Sequence, residues 1–159
     1  MFPELITELL QDGYKVNFSA PGHSMYPTIL ANETILVEPI DPGTVRQGDI
    51  ILYRSNGRLI AHGFVGINMP PDNGSSSCSD LDTQSSVPSP HYFFIFRGDA
   101  APACDDPVKA GQILGKVVSI ERNGCTIDPY CFTHKLSCLL LSWENRIKRL
   151  LTGTKLVRQ

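Results

Sequence analysis

The stretch from Asp49 to Ile67, DIILYRSNGRLIAHGFVGI, decides the fold because it holds two apolar runs joined by Asn56-Gly57. An Asn-Gly pair between apolar runs predicts a β-hairpin, since both residues tolerate the positive φ of a two-residue turn. The sequence therefore predicts two antiparallel strands, 49–55 and 58–67.

The length of this turn also fixes which residues face each other. Counting back from a two-residue turn places Ile51 opposite His62. Side chains alternate along a strand, so His62 shares a face with Ile60 and Phe64. A slip of one residue would invert this arrangement.

Shorter elements surround the hairpin. Helical spacing of apolar residues predicts an N-terminal helix from Pro3 to Asp12. Apolar runs between turn signals predict further strands at residues 16–20, 34–38, 91–97, 114–122 and 125–127. Many short strands with a helix at each end favour a mainly β fold, with antiparallel strands curled into a partly open barrel.

The 159 residues favour a single domain. We expect an N-terminal helix within residues 1–14, a β domain over residues 15–128 and a C-terminal basic amphipathic helix within residues 129–159. Residues 68–91 are rich in Ser, Pro, Asp and Gly, which predicts a flexible insertion.

Composition limits the partners and the compartment. A net charge of −2 gives no indication of nucleic acid, and the five cysteines and four histidines lack metal-ligand spacing. The sequence therefore predicts no metal and no cofactor. The odd number of cysteines favours free thiols and a cytoplasmic location. The acidic N-terminus argues against a secretory signal, and no stretch reaches the ~18–20 apolar residues of a membrane span.

The predicted C-terminal helix, from about Thr133 to Leu151, has an apolar stripe that includes Trp143 and is surrounded by basic residues. Such a helix can lie in a membrane interface. Alternatively, the stripe packs on the β body and the charges face solvent. We favour packing on the body, with peripheral membrane contact as the open alternative.

A candidate nucleophile lies in GHSMYPT, from Gly22 to Thr28. Ser24 sits there on an irregular turn that can present a hydroxyl, and a serine needs a base within hydrogen-bond reach. His62 is the best placed of the four histidines because it lies mid-strand. The alternatives are that Ser24 bonds only its own loop and that His62 is a core histidine.

A histidine base is usually held by a third group that fixes its tautomer. Residues 98–107, GDAAPACDDP, supply three carboxylates, those of Asp99, Asp105 and Asp106. The alternative is that Asp99 caps a turn and that Asp105 and Asp106 are solvated loop acids.

Five segments together resemble the serine peptidase clan that contains type I signal peptidases and self-cleaving repressor-type proteins. They occur in the order of that clan, from about Asn17 to Arg122, at residues 22–28, 47–51, 60–62, 97–99 with 105–106, and 115–118. The resemblance implies a serine-type endopeptidase that acts on a peptide or protein substrate.

The resemblance also implies a role for each site residue. Ser24 would be the nucleophile, and its backbone N–H one oxyanion donor. His62 stands where bacterial signal peptidases have lysine, as in the endoplasmic-reticulum and archaeal type. Asp106 would support it, or Asp105 if the loop is offset by one residue, while Asp99 would order the loop.

Two other functions stay open. The chain could be a non-catalytic module of the same fold that grips an extended peptide at a sheet edge. A self-cleaving regulator is less favoured, because only 23 residues precede Ser24 and a DNA-binding domain would need more.

Overall fold

The computed structural model describes residues 3–68 and 92–131. In chain order these form one helix and eight strands: α1 (Pro3–Gln11), β1 (Val16–Ala20), β2 (Glu33–Pro39), β3 (Ile50–Ser55), β4 (Arg58–Asn68), β5 (Phe93–Arg97), β6 (Val108–Lys109), β7 (Ile113–Arg122) and β8 (Cys125–Ile127). Two short 3-10 helices precede β3 and β7, at Pro42–Thr44 and Ala110–Gln112.

All eight strands belong to one antiparallel sheet. Its order is β1-β2-β7-β3-β4-β5-β6, and β8 pairs with β7. Among the described residues β1 and β6 do not pair with each other, so the sheet is open. The predicted mainly β, antiparallel fold is confirmed.

The central hairpin has the predicted register. Ser55 pairs with Arg58 and Ile51 pairs with His62. Asn56 and Gly57 both adopt positive φ, 49° and 73°, as a two-residue turn requires. Local sequence alone was sufficient to predict this register, because the length of the turn determines which residues of the two strands pair.

Other elements differ from the predictions mainly at their ends. The helix ends at Gln11, β2 extends to Glu33 and Pro39, and β5 begins at Phe93. The extra residues of β2 pair with Ala20 and Gly115 on its neighbours. Pairing across the sheet, which local patterns do not report, thus sets these ends.

Strand β3 is buried on both faces and separates two apolar clusters. Ile50 and Leu52 face one cluster, which also contains Ile6 and Leu10 of α1. Ile51 and Tyr53 face the other, which is aromatic and includes phenylalanines 64, 94 and 96. The period-2 alternation of a strand explains this division, and burial on both faces explains the continuous apolar run.

Two predicted segments lie outside the described residues. One is the C-terminal helix, and the other is the insertion beyond Asn68, which is itself the last residue of β4. Within the described ranges, no helix has the length and apolar character needed to cross a membrane.

Candidate active site

Ser24 lies on the connection from β1 to β2, where the chain forms consecutive turns. The Tyr26 N–H donates to the His23 carbonyl (3.1 Å), and the Ile29 N–H donates to the Met25 carbonyl (2.9 Å). Met25 and Ile29 are buried in the cluster that contains α1. These anchors leave Ser24 exposed at the tip of the turn.

Three side chains from distant parts of the chain form a continuous hydrogen-bonded series. Ser24 Oγ lies 2.8 Å from His62 Nε2. His62 Nδ1 lies 2.5 Å from Asp105 Oδ2. An ionised carboxylate only accepts, so we assign the Nδ1 proton to the bond with Asp105, which leaves Nε2 to accept from the serine hydroxyl.

Solvent exposure differs along this series in a way that suits proton transfer. The hydroxyl-bearing residue is exposed, whereas the His62 side chain retains 9% of its accessible surface and that of Asp105 retains 25%. The imidazole is therefore held by protein on one side and reaches an accessible hydroxyl on the other. Such an arrangement can remove the proton of an attacking alcohol.

The structure places Asp105, and not the preferred Asp106, in contact with His62. The Asp105 N–H donates to the Phe96 carbonyl (2.9 Å), which folds the loop back onto the end of β5. That bond directs Asp105 towards the imidazole, while Asp106 is exposed. The one-residue offset left open from the sequence is the arrangement observed.

Gly98 allows the loop to approach the serine turn. A Cβ at this position would lie 2.6 Å from the Ser24 carbonyl oxygen and 3.0 Å from His62 Nε2. The Ala100 N–H donates to the same carbonyl oxygen (2.9 Å). Backbone contacts therefore fix the spacing between the loop and the turn, and only glycine leaves room for them.

Asp99 connects the same two segments through its side chain. Thr28 Oγ1 donates a hydrogen bond to Asp99 Oδ2. Partial burial of the carboxyl raises the pKa of Asp99, although the Thr28 bond and nearby His62 and Arg97 oppose the change. The expected ordering of the loop by Asp99 fits this contact.

Sequence reasoning missed Tyr53, which also contacts Asp105. Its hydroxyl donates to Asp105 Oδ2 at 2.8 Å. Burial first, and then the bond to Asp105, raise the pKa of Tyr53 well above its usual range. The alternation along β3 could have placed Tyr53 on the face of Ile51, but the loop carboxylate that it meets is 52 residues away.

Asp49, in the sequence segment at residues 47–51, has a different environment. It forms an ion pair with Lys116 (2.7 Å), and its other oxygen accepts from the Arg46 N–H (3.0 Å). The Lys116 ammonium lies 4.7 Å from the centre of the Tyr130 ring. Asp49 therefore stabilises the entry to β3 and lies outside the hydrogen-bonded series that begins at Ser24.

A cavity of about 370 Å³ opens beside Ser24. Its lining is largely apolar and comes from β1, the serine turn and the first half of β4, including Phe18, Ala20, Met25, Ile29, Leu59 and Ala61. In the described part of the chain, β1 pairs only with β2, and β5 pairs with β4 only from Gly63 onward. Free strand edges therefore border the cavity on two sides.

Within residues 3–68 and 92–131, no group of three or more His, Cys, Asp or Glu side chains is arranged to hold a metal ion. A scan against protein-family models and a search of curated proteins both found no match. Arguments about function therefore start from the geometry around Ser24.

Proposed function

We propose that this chain is a serine endopeptidase with Ser24 as nucleophile, His62 as general base and Asp105 as the acid that orients the histidine. The single observation that carries the proposal is the unbroken series of hydrogen bonds, 2.8 Å and 2.5 Å long, from an exposed hydroxyl to a carboxylate. A serine that bonded only its own loop would require neither His62 nor Asp105 in this arrangement.

The chemistry follows from the tautomer assigned above. Ser24 Oγ attacks the carbonyl carbon of the scissile peptide while its proton passes to His62 Nε2. Asp105 stabilises the imidazolium, which then protonates the leaving amine. The resulting acyl-enzyme is hydrolysed when a water molecule attacks and His62 takes the proton of that water.

The negative oxygen of the tetrahedral intermediate needs donors that are already in position. Within the described residues the Ser24 N–H makes no backbone hydrogen bond. It is therefore available to the oxyanion. The Ser24 carbonyl is held by the Ala100 N–H, which limits rotation of the peptide groups around the nucleophile.

The cavity and its free strand edges support a peptide as the substrate. An extended peptide can add to an unpaired edge by main-chain hydrogen bonds while alternate side chains enter pockets. Among residues 3–68 and 92–131, nothing pairs with the outer edge of β4 at Arg58–Ala61, and the same strand carries the base His62. A peptide on that edge would pass beside Ser24 and place an apolar side chain in the cavity.

The resemblance to the clan of type I signal peptidases and self-cleaving repressors is part of this proposal. Two of the five segments supply Ser24 and His62, and a third supplies Asp105. The partly open barrel expected from the strand pattern is proposed with it, and the open antiparallel sheet supports it.

Covalent labelling and peptide digestion test the proposal together. A fluorophosphonate probe and a peptide library are presented to the wild type, Ser24→Ala and His62→Ala. Ser19→Ala, which removes an exposed hydroxyl on neighbouring β1, is the matched control. We expect cleavage by the wild type and the control, and a loss of at least about 10³-fold in the two site variants. Equal cleavage by Ser24→Ala would overturn the assignment.

A peptide-binding module is the second candidate, and the edges of β1 and β4 that are unpaired within the described part of the chain favour it. It predicts that peptides bind and emerge intact, with the same affinity for wild type and Ser24→Ala. Fluorescence polarisation with labelled library peptides, followed by mass spectrometry of the same samples, separates binding from cleavage.

A further inference from the structure

We propose that Tyr53 is a positioning residue that holds Asp105 in the orientation His62 requires, an inference that rests on the proposed peptidase function. Tyr53 Oη and His62 Nδ1 both donate to the same carboxylate oxygen, Asp105 Oδ2, at 2.8 Å and 2.5 Å. The tyrosine thus acts on the base through the acid and touches no reacting atom.

The carboxylate needs such support because it comes from a loop. Asp105 keeps 25% of its side-chain surface exposed, and its backbone is fixed by the bond from its N–H to the Phe96 carbonyl. That bond places the Cα but leaves the side-chain rotamer free. The Tyr53 hydroxyl is a second donor, beside His62 Nδ1, that constrains this rotamer.

Tyr53 itself has little freedom to move. It is 1% exposed, and its ring stacks on Phe96 with centroids 4.6 Å apart and planes 17° apart. Its ring also meets His62 edge to face at 6.4 Å. Strand β3, which carries Tyr53, pairs with the β4 segment that carries His62. One rigid hairpin therefore presents both the base and the donor that orients the acid.

The Tyr53 hydroxyl remains a donor to Asp105 throughout the pH range in which the site would work. A hydrogen bond donated to a carboxylate stabilises its ionised form and weakens its attraction for another proton. The raised pKa of the Tyr53 phenol keeps it protonated, and therefore a donor, at every pH at which a histidine titrates. Removing the hydroxyl should therefore release this constraint on Asp105 over that whole pH range.

Tyr53→Phe removes this hydroxyl and retains the stacked ring. We expect kcat to fall by about tenfold, because Asp105 loses a charge-assisted hydrogen bond and samples other rotamers. KM should not change, since Tyr53 does not line the cavity. The acid limb of the kcat/KM profile should move to lower pH by about half a unit, because a carboxylate that leaves its position stabilises the imidazolium less.

The other charged groups around the site are the same in the wild type and in Tyr53→Phe. Asp99 interacts electrostatically with His62 and with Arg97, and Asp106 interacts with Tyr53, while the Ser24 hydroxyl lies on the opposite side of the imidazole. Because none of them is altered by the substitution, a shift in the acid limb reports on Tyr53 and Asp105.

Tyr130→Phe is the matched control. Its hydroxyl is likewise held by protein, donating to the Val117 carbonyl (2.7 Å) and accepting from the Ile50 N–H (3.1 Å). This variant should lose stability while its kcat and its acid limb match the wild type. If both tyrosine variants behaved alike, Tyr53 would be purely structural and the inference would be wrong.

A double-mutant cycle shows whether Tyr53 acts through Asp105. Adding Tyr53→Phe to Asp105→Asn should cost less than about twofold in kcat, against about tenfold in the wild-type background. Full additivity of the two losses would overturn the inference.

Proton NMR of His62 separates failure of this inference from failure of the proposed function. The Nδ1 proton should give a downfield signal in the wild type, with a cross-peak to the Tyr53 hydroxyl proton. Tyr53→Phe should weaken that downfield signal, because Asp105 is no longer held in one orientation. If these results hold in a protein without turnover, the peptidase proposal fails and the positioning role stands. If turnover is present but the wild type lacks the cross-peak, the positioning role fails. If Tyr53→Phe does not fold, the cross-peak in the wild type tests the positioning role by itself.

Discussion

Two carboxylates in this molecule have partners of similar residue types but lie in different environments. Asp105 contacts His62 and the hydroxyl of Tyr53, whereas Asp49 contacts Lys116, which lies over the ring of Tyr130. Each site combines an acid, a base and a tyrosine. Residue types therefore do not distinguish a candidate reactive site from a structural one in this fold.

The two sites differ in where the basic side chain points. His62 has one nitrogen on its acid and the other on the exposed hydroxyl of Ser24, beside a cavity. The Lys116 ammonium lies between Asp49 and an aromatic ring. Lys116 lies on β7 and pairs with Asp49 at the entry to β3, so it links these two strands.

The largest expected effect comes from the choice of acid. Asp105→Asn should reduce kcat/KM by about 10³-fold or more, because an amide cannot stabilise the imidazolium and favours the wrong tautomer of His62. Asp106→Asn, one residue away and exposed, should stay within about twofold of wild type. Steady-state assays on the same peptide substrate measure both, and equal losses would contradict the geometry.

The close approach at Gly98 gives the next effect. Gly98→Ala should reduce kcat/KM by about 10–100-fold, because its Cβ would push against the Ser24 carbonyl and His62. The crowding should also lower the free energy of unfolding by about 1–3 kcal/mol.

Gly66→Ala is the control for that substitution, since a Cβ there meets nothing within 4 Å. It should leave kcat/KM unchanged. Enzyme assays and urea denaturation of the two variants would sharpen the comparison, and a harmless Gly98→Ala would remove the argument for a fixed spacing between turn and loop.

The Asp49 site should affect stability and not chemistry. Lys116→Met leaves the buried Asp49 carboxylate without its cation, which should cost about 2–3 kcal/mol in the free energy of unfolding. The surface pair of Lys15 with Glu38 provides a control, because Lys15→Met should cost less than about 1 kcal/mol. Urea denaturation measures both. A loss of kcat in fully folded Lys116→Met would break the proposed division between the two sites.

The smallest expected effect is a pH dependence at Asp99. The pKa of Asp99 is raised in the folded chain, so the folded state holds this proton more tightly than the unfolded state does. That contribution is complete below the unfolded pKa, about 3.9, and is lost as pH rises through the folded value.

Asp99→Asn retains an oxygen for the Thr28 hydroxyl and does not titrate. The stability of this variant relative to wild type should therefore increase as pH rises from about pH 4 to pH 7. Thermal unfolding across that range measures the difference, and a constant difference would contradict the raised pKa.

Sequence patterns located the candidate nucleophile and base but not the full site. Ser24 and His62 were identified because a turn and a hairpin are local features. The choice between Asp105 and Asp106 depends on one backbone bond to Phe96, and no period exists in an irregular loop to reveal it. Tyr53 resembled an ordinary core residue, because its partner lies 52 residues away.

What the sequence by itself determined is the hairpin, its register and hence the side of β4 on which His62 lies. Those follow from alternation and from a two-residue turn, which act over a few residues. Only the tertiary structure decided that His62 meets a serine 38 residues before it and an aspartate 43 residues after it. Such contacts depend on strands that pair across the sheet, and the entropy of closing the long loops between them is not set by any local pattern.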